Sequence, residues 1–137
     1  MARTLLLDTG FLVALVNRRD PDHRRCVDVW TELHARFVTV EGVFVEAAHL
    51  LRRSPAAVEA AFRVGLAVGV SLVTPSAERY QRALALMRRY RNVPMDFVDA
   101  MLVLAAEDLA ISEVLTLDRR GFETYRTRRG AFTLLPA

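Results

Sequence analysis

Four acidic residues stand where the sequence gives little other reason for a charge. Asp8 closes the apolar run from Arg3 to Leu7, and Asp118 closes Val114 to Leu117. Short, nearly continuous apolar runs are expected of strands buried on both faces, so each aspartate is placed at the last position of a buried strand. In open parallel α/β sheets ligands gather outside the carboxyl ends of the strands. That brings Asp8 and Asp118 to one sheet edge from opposite ends of the chain. A buried, unpaired carboxylate is costly, and two near each other call for a cation or a proton. Either aspartate alone reads as a turn residue or helix N-cap; the pair reads as a site.

Glu46 lies one helical turn from Val43 and Leu50 on an otherwise apolar face. It either flanks a narrow apolar stripe or faces the site, and the spacing alone leaves both open. Asp96 precedes an apolar helix and is well placed to cap it, which accounts for it structurally. Asp99 sits one turn further on, and Val103 and Ala106 continue its face into apolar surroundings. Asp99 is therefore expected to be a ligand. Oxygen-only clusters of this kind suit hard cations, Mg²⁺ or Mn²⁺, which activate water and neutralise charge on a phosphate. Such chemistry needs no protein nucleophile. His23, His34 and His49 are scattered over predicted helices without zinc-ligand spacing and read as structural or surface residues.

The elements that must position these groups alternate strand with helix. After the first strand, Thr9 to Val16 reads as a short helix. Asp20-Pro21-Asp22 is turn chemistry, with Asp22 capping a helix from His23 to about Phe37 whose buried stripe is Val27, Trp30, Leu33 and Phe37. Strands are expected at Phe37 to Val40, Val70 to Thr74, Val114 to Leu117 and, at the edge, Phe132 to Leu135. Helices are expected at Glu41 to Leu51, from Ser54-Pro55 to about Leu66, from Pro75-Ser76 to about Tyr90, and after Asp96. The predicted fold is α/β: a three-layer α/β/α sandwich around a central, mainly parallel sheet, one domain spanning 1–137.

With 53% hydrophobic residues the chain is not disordered. No apolar run is long enough for a membrane span, because Asp8 interrupts the nearest candidate, and no secretory signal is expected. The lone Cys26 cannot form an internal disulfide, which fits a reducing cytoplasm. The net charge is +3 and all 19 basic residues are Arg. Absence of Lys reflects base composition or a preference for bidentate phosphate contact. It also counts against phosphoryl-accepting receiver or haloacid-dehalogenase-like proteins, which use a Lys near the phosphoryl group. The latter want a second Asp two residues after the first, where this chain has Gly10.

The segments LLLDTGFLVALVNRRDPDH, VFVEAAHLL, VPMDFVDAMLVLAAE and VLTLDRRGF occur in the order of the four signature blocks that the chain resembles: those of PIN-domain ribonucleases, especially VapC-type toxins. The resemblance implies Mg²⁺- or Mn²⁺-dependent cleavage of RNA, with Asp8, Glu46, Asp99 and Asp118 as metal-binding and catalytic quartet. It marks Thr9 and Thr116 as supporting hydroxyls and implies a homodimer and a cognate antitoxin; Asp96, read first as the helix cap, is a further candidate to support the site. Many members carry another acidic residue after the fourth aspartate, where Arg119, Arg120 and Gly121 stand here. One tightly held ion is expected, a second arriving with substrate. Arg119 and Arg120 either contact RNA phosphates or form a solvated turn. A module that kept the fold and lost catalysis, binding RNA or protein, is the alternative.

Overall fold

The computed structural model describes residues 3–137. In chain order the elements are β1 (Thr4–Leu7), α1 (Thr9–Val16), α2 (His23–Glu32), β2 (Arg36–Val40), α3 (Glu41–Leu50), α4 (Pro55–Gly65), β3 (Val70–Val73), α5 (Ala77–Arg89), α6 (Phe97–Leu109), β4 (Glu113–Leu115), α7 (Arg119–Thr124), β5 (Arg126–Thr127), β6 (Gly130–Ala131) and β7 (Thr133–Leu135). Five strands form one parallel sheet in the order β3-β2-β1-β4-β7, and β5 and β6 make a separate antiparallel hairpin.

This order explains where a site must form. From β1 the chain winds outward to β2 and β3, then returns across the sheet to β4 on the other side of β1. Right-handed crossovers put the helices of the two windings on opposite faces. The contacts follow suit: α1 packs with α2, α3 and α4, whereas α5 packs with α6. The result is the expected three-layer sandwich, and the winding reverses between β1 and β4. A crevice opens at the carboxyl ends of strands at such a reversal.

The central strand β1 buries Leu5, Leu6 and Leu7 completely. Helix α6 is buried from Ala100 to Ala106, as its nearly all-apolar sequence requires. Its outer end is tied to α5 by Arg82, whose guanidinium donates to both Asp108 oxygens at 3.0 and 2.8 Å. That pairing holds the Asp108 carboxyl below the usual carboxylate range. Ser54 and Ser76 cap α4 and α5 by accepting from Ala57 N and Arg79 N. Among the described residues no helix is long and apolar enough to cross a membrane.

Three expectations are corrected. Helix α2 ends at Glu32, because Leu33 is already extended, and Phe37 belongs to β2. The Trp30–Phe37 pair persists as a ring stack at 4.3 Å, joining helix to strand. Asp22 makes no side-chain capping bond and pairs with Arg25 instead, while Cys26 is the fully buried residue of α2. Strand β4 stops at Leu115, so Asp118 is not its last residue but the N-cap of α7, a helix the residue pattern did not reveal.

Burial along α6 makes a graded prediction. Leu102→Ala should cost about 3 kcal/mol of unfolding free energy, whereas Leu109→Ala, at the half-exposed end of the helix, should cost less than about 1 kcal/mol. Urea denaturation of the two variants checks the contrast.

Candidate functional site

The switch between β1 and β4 holds a carboxylate at its centre. Asp8 follows β1 directly, is 6% exposed, and caps α1. Its Oδ1 accepts from Thr9 N at 2.8 Å, and its Oδ2 accepts from the Thr116 hydroxyl at 2.7 Å. The same Thr116 oxygen accepts from Asp118 N at 2.9 Å. One buried hydroxyl thus links the end of β1 to the start of α7. Asp118 Oδ1 in turn accepts from Gly121 N at 3.1 Å, closing the cap of α7.

Two further carboxylates come from the flanking helices. Thr9 Oγ1 donates to Glu46 Oε1 at 2.6 Å, bringing α3 against the start of α1. Asp96 caps α6 by accepting from Asp99 N at 2.8 Å, which fixes Asp99 in the first turn. The fully buried Tyr125 donates its hydroxyl to Asp99 Oδ2 at 3.0 Å. Asp8, Glu46, Asp96, Asp99 and Asp118 all line one cavity of about 470 Å³, with Thr9, Gly10 and His49 among its walls. Arg119 and Arg120 do not line it. Arg119 pairs with Glu123 at 3.0 Å and donates to Pro136 O, and Arg120 is exposed.

Reasoning from spacing missed Tyr125 and Gly121. A Cβ on Gly121 would overlap Asp118 Oδ2 and crowd the Tyr125 ring, so the glycine permits the close approach of the last turn to the site. The aromatic neighbours Tyr90 and Phe122 hold the Tyr125 ring edge-on at 5.1 and 5.3 Å. His49, read as a structural or surface residue, is exposed at the cavity wall. His23 is structural, its Nδ1 bonded to Ala14 O at 2.7 Å.

Crowding of negative charge shows in the protonation equilibria. Burial pushes the Asp8 carboxyl up to about 6, against the opposing bonds from Thr116 and Thr9, and Asp118 and Glu46 push it further. Burial and the charges of Asp96 and Asp8 raise Asp99 to about 7, with Tyr125 opposing. Among the described residues no three His, Cys, Asp or Glu side chains close on one point as a finished metal cage. The carboxylates instead face a shared cavity. The donor set fits a hard cation, being all oxygen and short of positive charge. Asp99 Oδ1, Asp118 Oδ2 and Glu46 Oε2 take no hydrogen bond from the protein among the described residues, so they remain free to ligate.

A model of the PIN domain matches residues 5–127. The chain belongs to the PIN-domain family. The ribonuclease VapC26 of Mycobacterium tuberculosis (strain ATCC 25618 / H37Rv) is 28% identical over 147 residues, covering 96% of this chain and 100% of that protein. Among solved structures, Mycobacterium tuberculosis VapC20, a sarcin-ricin loop cleaving toxin, superposes with a TM-score of 0.78 at 24% identity, over 85% of this chain and 92% of that one. A toxin–antitoxin complex from Klebsiella pneumoniae matches at 0.64 and 16% identity, over 88% and 91%. VapBC2 from Rickettsia felis, bound to a DNA fragment from its promoter, matches at 0.64 and 11% identity, over 96% and 98%. These structures share the fold described above.

The raised carboxyls give the metal-free PIN fold a definite pH dependence. Between the ordinary carboxylate range and about pH 7 the native chain holds protons that the unfolded chain has released. The contribution of Asp8 and Asp99 to stability is therefore present below that range and lost as pH rises through about 6 to 7. In chelator, Asp99→Asn should gain on the order of 1 kcal/mol at neutral to mildly alkaline pH, discounted for partial exposure, and almost nothing in acid. Thermal melts across that range check the sign.

Proposed function

We propose that this chain is a divalent-metal-dependent endoribonuclease and the toxin of a toxin–antitoxin pair. The observation that carries the reading is the division of labour within the carboxylate cluster. In Glu46, Asp99 and Asp118 one oxygen is held by a donor from the protein, and the other is free. Asp8, at the centre, has both oxygens fixed by Thr9 and Thr116 but keeps a second lone pair on each. Carboxylates that only capped helices would not also be drawn from three layers of the chain to one cavity.

Asp8, Glu46, Asp99 and Asp118 would hold Mg²⁺ or Mn²⁺, one ion tightly and a second with substrate. The ion supplies activation of the attacking water and neutralisation of charge on the phosphate when bound. Thr116 and Thr9 orient Asp8 and Glu46, so that ligand oxygens need not reorganise on binding. Tyr125 keeps Asp99 turned to the cavity, and Asp96 keeps the first turn of α6 in place. Arg120, exposed and without an ion pair among the described residues, is available to the RNA backbone. Similarity to the ribonuclease VapC26 over nearly the whole chain supports RNA as the substrate. The toxin–antitoxin complexes that share the fold support an antitoxin partner, and a homodimer in the cytoplasm completes the reading.

Two variants test it. The folded Asp8→Asn protein should lose Mn²⁺-dependent cleavage of total cellular RNA, and Mn²⁺ should no longer raise its melting temperature. Thr116→Val keeps all four carboxylates and should lose about 10- to 100-fold in activity or metal affinity, the usual cost of removing a group that orients a ligand. Equal cleavage by Asp8→Asn would remove the metal role. A wild-type melt insensitive to Mn²⁺ would favour a non-catalytic module that binds RNA or protein.

A further inference from the structure

A second, larger cavity of about 740 Å³ adjoins the acidic one. Helices α1 and α3 lead from one to the other. Thr9 and Gly10 open α1 in the acidic cavity, while Val16 at its end and Asn17 to Arg19 just beyond it line the second. Glu46 and His49 of α3 line the first, Leu51 and Arg53 beyond its end line the second, and Leu50 lines both as the saddle between them. Along α1 the step from Thr9 to Val16 is about 10 Å at 1.5 Å per residue.

The two cavities are opposite in charge. The second is lined by Arg18, Arg19 and Arg53 and, among the described residues, by no acidic side chain. Among the described residues these three guanidinium groups make no ion pair and no side-chain hydrogen bond. Arg3, Arg24, Arg25, Arg63, Arg79, Arg82, Arg119 and Arg128 each face a carboxylate. Other arginines face none among the described residues, and what sets Arg18, Arg19 and Arg53 apart is that all three line one hollow without an acidic side chain. Three unneutralised cations around one hollow repel each other unless an anion enters. Ser54 adds a hydroxyl to the same wall, but among the described residues no aromatic side chain lines it, so bases have nothing to stack on.

The geometry points to this hollow as the subsite that holds the backbone phosphates of the RNA strand flanking the bond to be cut. The inference rests on RNA being the substrate. A strand leaving the carboxylate cavity, which by itself repels phosphate, passes Leu50 and meets three arginines within the length of one short helix. Contacts of this kind fix register and add affinity without reading sequence. They are distinct from Arg119 and Arg120, which the sequence left open between phosphate contact and a solvated turn and which do not line this hollow.

The test is binding of a labelled, mixed-sequence single-stranded RNA by fluorescence anisotropy, with divalent metal withheld, over a series of monovalent salt concentrations. Wild type is compared with the triple variant Arg18→Ala, Arg19→Ala, Arg53→Ala and with the corresponding triple Lys variant. Loss of three phosphate contacts from a single strand should flatten the slope of log affinity against log salt by about 2. Affinity at low salt should fall roughly ten-fold or more, and the Lys variant should keep a slope near that of wild type. All three positions are exposed, so unchanged melting temperatures verify the fold. An unchanged slope in the Ala variant overturns the subsite, including the case in which the hollow takes a protein segment instead. The endoribonuclease reading fails separately, if wild type with Mn²⁺ leaves total cellular RNA intact.

Discussion

The hydrogen bond from Thr116 to Asp8 is the contact on which the site depends. It ties the residue after β1 to the residue after β4, two strands paired in register through Leu7 and Leu115. Those strands are neighbours only because the chain reverses its winding between them. If either strand slipped by one residue, the hydroxyl would turn to the other face of the sheet. The parallel ladder, the burial of Leu5 to Leu7 and the packing of α6 therefore all bear on the position of one carboxylate. The Thr116 oxygen also accepts from Asp118 N, so the alignment propagates into α7 and to Tyr125.

The arrangement sets stability against function. Burial raises Asp8 and Asp99 well above the usual carboxylate range, to about 6 and 7, and the fold carries that cost at neutral pH when no cation is present. Stability is lost at sites where function needs groups that repel. The protein offsets part of it locally: Thr9, Thr116 and Tyr125 donate to the crowded carboxylates, and Asp96 satisfies the start of α6. A cation entering the cavity would relieve the repulsion, coupling metal affinity to proton release. The neighbouring arginine-lined hollow completes an electrostatic division, in which one side draws a cation and the other an anionic strand.

Much of this was legible in the sequence where local patterns decide. An aspartate ending a continuous apolar run is conspicuous, and Asp8 lies one residue past the strand that the run forms, as the N-cap of α1 rather than the strand's last residue. Asp96 caps α6 as its position implied, and Asp99 follows one turn on. Asp118 was read to the correct edge of the sheet for a partly wrong reason: β4 stops at Leu115, and Thr116 and Leu117 carry the chain on to the cap of α7. Helix α7 itself is only six residues and opens with two arginines and a glycine, which leaves no apolar period to detect. Tyr125 stands 26 residues from Asp99, and nothing in spacing announces a contact of that range. The arginine hollow is built from the end of α1, the end of α3 and the start of α4, so it exists only once the layers are packed. Helix α2 was overextended because Trp30 and Phe37 do share a face, across a helix–strand stack rather than along one helix.

The most direct test of the account is calorimetric titration of the chain with Mn²⁺ in two buffers of different ionisation enthalpy, which counts the protons released per ion bound. At about pH 6, where Asp8 and Asp99 are substantially protonated, the account predicts saturable binding with release on the order of one proton. The release should fall towards zero in mildly alkaline buffer, and binding should be lost in Asp8→Asn. Saturable Mn²⁺ binding with no proton release at about pH 6, or no binding at either pH, would contradict it.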